Sequence, residues 1–286
     1  MRFLILLVLL TNLFLLNSCK KYVPADAAFF IKPTLVSVAT STNPINQGSG
    51  SSKITDLWLY VNGKFQGAYP NGHLLPIITK NQNVTINIFA GIKNNGISDT
   101  RTSWVFYDFI KIDTLVENGK TIERPLTFRY NTSTKFAWME NFSGPGFSLV
   151  KSGDLDSDTT WKMASVADSF EGNTAEIGLA GKGDGSSAIV QSAIGYALPK
   201  GSSNVYLEID YKSNQGFEVG VKAGSLQKST VFVNPSENWN KIYIQLSDAI
   251  NREPTTTNQK IYFKMVKTSD NASPKMFLDN IKLVYL

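Results

Sequence analysis

Thiols are all but missing from this chain: Cys19 is its single cysteine. Beyond that residue no disulfide, thiolate zinc site or cysteine nucleophile can form, so the folded part must be held by its core. Histidine is as scarce, with His73 alone in "PNGHLLP". A serine–histidine–aspartate arrangement needs a histidine against a nucleophile. The chain has no Gly-x-Ser-x-Gly elbow, so His73 reads as a surface or packing residue. Basic clusters are missing too. The 28 Lys+Arg against 23 Asp+Glu give a net charge of +5, yet the longest basic run is Lys20-Lys21. Nucleic-acid binding needs such charge gathered on one face, so it is not expected. Long apolar runs are limited to "FLILLVLLTNLFLL" after Arg2, well short of the ~20 residues that span a bilayer. That length and the leading arginine suit a secretory leader.

The leader ends in Leu16-Asn17-Ser18-Cys19, which resembles a bacterial lipobox, with Asn17 where a smaller residue is commoner. The resemblance implies cleavage before Cys19, diacylation of its thiol and acylation of the new amine. Three acyl chains, at ~0.8 kcal/mol per buried methylene, make a stable anchor. Residues 1–18 are then the signal peptide and 19–27 a lipidated tether. The tether "KKYVPADA" spans at most roughly 28 Å at ~3.3–3.6 Å per residue, which keeps the next domain at the membrane. Lys20-Lys21 can touch anionic head groups. Surface-displayed lipoproteins of Bacteroidota resemble one another in carrying acidic residues after the cysteine, and these are missing here. The periplasmic face of the outer membrane is therefore favoured over the cell surface.

From Ala28 onward helical periodicity gives way to short alternating runs, such as "ITDLWLYVNG" and "NVTINIFAG", separated by Asn62-Gly63, Asn71-Gly72, Asn95-Gly96 and Asn118-Gly119. Asn-Gly between alternating apolar residues is a strong hairpin signal because both residues tolerate positive φ. The fold class is all-β. Residues 28–130 read as a Greek-key β-sandwich, 131–135 as a linker and 136–286 as a second sandwich. In "LWLYV", Leu57, Leu59 and Val61 share one face while Trp58 and Tyr60 share the other, which predicts a strand covered on both sides. "TNPINQGSGSS" (42–52) predicts a mobile loop. In "NVYLEIDYKS", Val205, Leu207 and Ile209 alternate with Tyr206, Glu208, Asp210 and Lys212, the pattern of a half-buried antiparallel strand. The succession "YLEIDYKSNQGFEVGV", "ENWNKIYIQL" and "MFLDNIKLVYL" resembles a galactose-binding-like jelly roll, a fold shared with carbohydrate-binding modules. Taken whole, with the lipobox, "ITDLWLYVNGKFQGAYP" and "FAGIKNNGIS", the chain resembles two-domain lipoproteins of Bacteroidota.

Candidate chemistry is sparse. Asp154, Asp156 and Asp158 alternate in "SGDLDSDTTW" and could converge on calcium. Thr159 and Ser165 stand where a calcium loop of that spacing wants Gly and Glu, so a solvated acidic loop is the alternative. The jelly-roll resemblance implies a second structural calcium position, at Glu140 and Asp279. "GLAGKGDGSS" lacks the ending of a phosphate loop and reads as a hairpin loop. Aromatic residues are plentiful, with 17 Phe, 11 Tyr and 5 Trp. Trp161, beside the acidic loop, is the candidate ring for ligand binding, and Trp239 reads as a packed strand-start residue. No paired-carboxylate motif marks a hydrolase. The expectation is a non-catalytic, outer-membrane-anchored lipoprotein acting as accessory or scaffold subunit to a barrel or associated lipoproteins. The alternative is a glycan-binding lipoprotein using the jelly roll, and a glycoside hydrolase or other hydrolase ranks behind both.

Overall fold

The computed structural model of the chain describes residues 28–286 apart from 44, 81, 154–156, 202–203, 225 and 253–257. The leader, Cys19 with its two lysines, Asp154 and Asp156 lie outside the described residues. Among the described residues no helix is long and apolar enough to cross a membrane.

Residues 29–129 contribute eight strands: β1 (Phe29–Ala39), β2 (Asp56–Val61), β3 (Lys64–Pro70), β4 (Leu75–Ile77), β5 (Asn83–Lys93), β6 (Arg101–Ser103), β7 (Ile110–Leu115) and β8 (Thr121–Arg129). They form a three-stranded sheet, β4-β1-β8, facing a five-stranded one in which β3-β2-β5-β6 run in order and β7 also pairs with β5. The β2–β3 hairpin turns on Asn62 and Gly63, both at positive φ, as the dipeptide predicts. Leu57, Leu59, Ile86 and Ile88 point inward to meet Phe29, Ile31, Leu126 and Phe128.

Eleven more strands follow: β9 (Lys135–Glu140), β10 (Leu149–Lys151), β11 (Thr160–Met163), β12 (Ala175–Gly178), β13 (Ser187–Ser192), β14 (Val205–Ser213), β15 (Phe217–Ala223), β16 (Leu226–Val233), β17 (Ser236–Gln245), β18 (Lys260–Val266) and β19 (Lys275–Tyr285). One sheet orders β10-β13-β18-β15-β16. The other orders β11-β12-β19-β14-β17, with β9 beside the second half of β19. All these pairings are antiparallel. The sandwich expected for this half of the chain is present, and its first strand begins at Lys135, the last residue of the predicted linker. A bulge interrupts β19, where Asn280 takes φ 46° and the pairing with β14 shifts between Glu208 and Asp210.

The two halves share an interface rather than a free linker. Trp104 of the first half lies 4.9 Å from Tyr206 and 4.7 Å from Tyr243 of the second, ring centre to ring centre. Tyr206, Tyr243 and Val284 belong to the hydrophobic core of the first half. The outer face of β14 is therefore covered, and the half-buried reading of that strand is corrected: Tyr206, Glu208 and Asp210 are all buried. Their charges are met internally. Lys241 sits 3.4 Å from Asp210 and 3.7 Å from Glu208. Tyr130 donates to Glu208 Oε1 at 2.8 Å, and Lys282 Nζ donates to the Tyr130 hydroxyl at 3.3 Å. Burial pulls the Lys282 ammonium down to about 8, with the Glu208 charge opposing that shift.

The segment predicted as a mobile loop closes over this network. Ser51 donates to Asp210 Oδ1 at 2.8 Å, and Lys282 donates to the Ser49 carbonyl at 2.6 Å. At Gly50 a β-carbon would sit 2.5 Å from the Val38 carbonyl oxygen. Glycine and serine here permit a strap against the sheet, where bulkier residues would hold it away.

Candidate functional site

Strand β2 is fully buried on one side and only half-buried at its rings on the other, which corrects the expectation of a strand covered on both sides. Its inward residues are buried, but Asp56, Trp58 and Tyr60 face away from the three-stranded sheet, together with Thr85, Asn87, Phe89 and Gly91 of β5. On that face five rings form a continuous strip. Phe65 lies 5.5 Å from Trp58 and 5.2 Å from Tyr60. Tyr60 lies 5.2 Å from Phe89, and Phe89 lies 5.0 Å from Phe109. The strip crosses β3, β2 and β5 to the residue before β7, a width of ~14 Å at ~4.8 Å per strand. Its ends are open, with Phe65 51% and Phe109 46% exposed. The half-burial of Trp58, Tyr60 and Phe89 comes from the rings leaning on each other.

Polar side chains rim the strip. Arg101 pairs with the buried Asp56 at 2.7 Å, Lys111 with Asp113 at 3.1 Å, and Thr85 donates to Asp113 at 2.5 Å. The Thr85 bond, then the Lys111 ammonium, holds the Asp113 carboxyl below its ordinary value. Trp58 lies across Gly91, where a β-carbon would come within 2.7 Å of its indole nitrogen. The Trp58 Nε1 and Asn87 Oδ1 atoms of this face have no hydrogen-bond partner among the described residues. The outward positions of β2 and β5 thus carry rings, amides, hydroxyls and charges, and no aliphatic side chain.

The residues singled out from sequence lie elsewhere. Trp161, on β11, is half-buried against the jelly-roll core and 5.2 Å from Phe147. Trp239 is half-buried and stacks obliquely on Phe170 at 5.1 Å. Trp161 stands in a three-ring cluster with Phe142 and Phe147, its Nε1 also without a hydrogen-bond partner among the described residues, and Trp239 makes one ring pair; both groups are smaller than the five-ring strip. Asp158 is exposed, and its backbone N–H donates to the Ser187 carbonyl. His73 is exposed in a turn.

Glu140 and Asp279 are both buried, and each is engaged with its own donors. Glu140 accepts from the Phe142 N–H at 2.7 Å, and from the Ser148 N–H and hydroxyl at 2.5 and 2.6 Å, which staples the connection between β9 and β10. Asp279 accepts from the N–H groups of Glu171 and Asn280 and from the Thr174 hydroxyl. Burial nonetheless pushes its carboxyl up to about 6. Calcium wants several oxygens that converge without competing protons. The surroundings of these two carboxylates are donors, and among the described residues no group of three histidine, cysteine or acidic side chains could hold a metal. This donor set does not fit a cation.

Sequence reasoning missed Phe65, Phe89 and Phe109 as functional candidates. The signal for them is the second apolar face of β2, whose pattern alone predicts packing on both sides.

No protein-family model matches the chain, and no curated protein matches it. Among solved structures, it is similar to the family 11 carbohydrate-binding module from Clostridium thermocellum in complex with a β-1,3-1,4-mixed-linked tetrasaccharide. The identity is 19%, with 52% of this chain and 94% of that one covered, at a TM-score of 0.35. A family 29 carbohydrate-binding module is similar at 13% identity, covering 54% of this chain and 87% of that one, with a TM-score of 0.34. Likeness this slight carries no conclusion about what the chain binds.

Proposed function

We propose that the chain is a non-catalytic, lipid-anchored glycan-binding protein whose main contact surface is the aromatic strip of the first sandwich. One observation carries this reading: the outward positions of β2 and β5 set the rings of Trp58, Tyr60 and Phe89 beside the hydrogen-bonding side chains of Asp56, Thr85 and Asn87, with no aliphatic side chain among them. A sugar presents C–H faces and hydroxyl edges together. Ring faces suit the first; Asn87, Asp113, Lys111 and Arg101 suit the second. An unpaired indole N–H and amide oxygen are costly where they stand, and ligand hydroxyls would satisfy them once the rings part. A protein partner would be expected to meet aliphatic as well as aromatic side chains at the centre of its footprint. Acylated Cys19 supplies the anchor and the short tether holds the first sandwich near the membrane, on the periplasmic face by the lysines that follow the cysteine.

The test is a polysaccharide and oligosaccharide panel probed with the wild-type protein, with Phe65→Ser/Phe109→Ser and with Trp161→Ala. Binding lost in the double variant and kept in Trp161→Ala supports the strip. The reverse pattern moves the glycan to the jelly roll. Absence of glycan binding, with a barrel protein co-purifying from detergent extracts and released by the double variant, replaces this reading with the accessory-subunit one.

A further inference from the structure

A second surface lies between the two sandwiches, away from the ring strip. The end of β5 and the turn after it face β16 and β17 across a cleft of about 480 Å³, within the size range of small-molecule sites. Three lysines line it, Lys53, Lys93 and Lys241, and among the described residues no carboxylate does. Lys241 is already matched behind the wall by Asp210 and Glu208. Among the described residues Lys53 and Lys93 have only neutral partners: Lys53 Nζ donates to Asn240 Oδ1 at 2.5 Å, and Lys93 Nζ reaches Ser98 Oγ at 3.5 Å. Asn240 in turn donates to the Tyr211 hydroxyl at 3.1 Å, which donates to the Asn234 carbonyl at 3.4 Å. Phe232, 64% exposed, stands at the rim.

We propose that this cleft binds a sugar acid, its carboxylate between Lys53 and Lys93, its hydroxyls on the Asn240–Tyr211 chain and a ring face against Phe232. Two ammonium groups facing one cavity without a counter-charge disfavour each other, and an anion between them removes that cost. Burial, and after it the Lys93 charge, hold Lys53 below the ordinary lysine value, as such crowding requires. The cleft is far larger than an inorganic anion, and its neutral polar wall suits a hydroxylated body. This inference does not depend on the aromatic strip: a protein that binds no polysaccharide there could still hold a sugar acid here.

The experiment is titration of the full mature chain, followed by calorimetry and amide chemical shifts, with glucuronate, galacturonate, glucose, galactose and sulfate. The uronates should bind, with shifts at Asn240 and Phe232, and bind at least tenfold more tightly than the neutral sugars or sulfate. Lys53→Gln and Lys93→Gln should each weaken uronate binding about tenfold or more, the loss of one charge-assisted hydrogen bond. Urea midpoints of both variants establish that they fold. Phe65→Ser/Phe109→Ser should bind uronate as the wild type does. Equal affinity for glucose and glucuronate, equal affinity for sulfate and glucuronate, unchanged affinity in both lysine variants, or no uronate binding at millimolar concentration would each overturn the proposal.

Discussion

Glu208 and Lys282 face each other across β14 and β19 beneath the first sandwich, 0% and 2% exposed. Directly opposed side chains on neighbouring strands have β-carbons ~5 Å apart. Charges ~6 Å apart at an effective dielectric of ~20 attract by ~3 kcal/mol. Glu208→Gln keeps an oxygen for the Tyr130 hydroxyl but leaves Lys241 and Lys282 with Asp210 alone. Breaking a buried ion pair from one side costs ~3–5 kcal/mol. The low end applies here, because Lys241 stands 3.7 Å away and Glu208 Oε2 has no hydrogen-bond partner among the described residues. Lys282→Met removes a desolvated ammonium but leaves Glu208 and Asp210 to share Lys241, so it too should destabilise. The double variant restores neutrality, with Asp210 and Lys241 left as a pair. Urea unfolding of the wild type, both single variants and the double should therefore give a coupling of ~2–3 kcal/mol, the double losing that much less than the sum of the singles. Additivity within ~0.5 kcal/mol would mean that these charges do not sense each other beneath the first sandwich.

Further outcomes concern the same interface and its surroundings. The shared ring cluster of Trp104, Tyr206 and Tyr243 should make the halves unfold together, giving one urea transition by tryptophan fluorescence and far-ultraviolet dichroism; two separated transitions would contradict it. Lys282 titrates near 8 folded against 10.5 ordinarily, so the unfolded chain holds its proton to higher pH. Wild-type stability should rise relative to Lys282→Met between pH 8 and 10 by roughly 2–3 kcal/mol, with the difference constant below pH 8. A flat difference would mean that the ammonium is solvated. Asp279 should show a carboxyl carbon titration midpoint near 6; a midpoint near 4 would mean that its three donors outweigh burial. Chelation should leave the melting temperature unchanged, since Glu140 and Asp279 are served by protein donors, and a fall with recovery on adding calcium would restore the cation reading.

Local pattern was legible in the sequence, and what covers each face was not. Alternation in "LWLYV" and "NVYLEIDYKS" placed both strands correctly, and Asn62-Gly63 and Asn95-Gly96 turn at positive φ as the dipeptide requires. The coverage of the two strands came out inverted. The ring-bearing face of β2 is half-buried, with Phe65 and Phe109 exposed at the ends of its strip, while Tyr206, Glu208 and Asp210 of β14 are buried. Alternation reports the polarity of a face, and coverage depends on partners distant in the chain. Glu208 and Asp210 could go inside because Lys241, Lys282 and Tyr130, tens of residues away, complete their network. The strip stayed hidden for the same reason: Phe65, Phe89 and Phe109 become neighbours only when β3, β2, β5 and β7 pair. The strap over residues 46–53 has the composition of a free loop, and the contacts of Ser49 and Ser51 that hold it belong to β14 and β19.

Whether a glycan lies on the aromatic strip is decided by hydroxyl-radical footprinting of the protein with and without a polysaccharide selected on the panel. Oxidation of Phe65 and Phe109, the open ends of the strip, should fall several-fold in the complex, with Trp58, Tyr60 and Phe89 protected alongside and Phe147 and Phe170 unchanged. Unaltered oxidation of Phe65 and Phe109 in a saturated complex would place the glycan elsewhere on the protein.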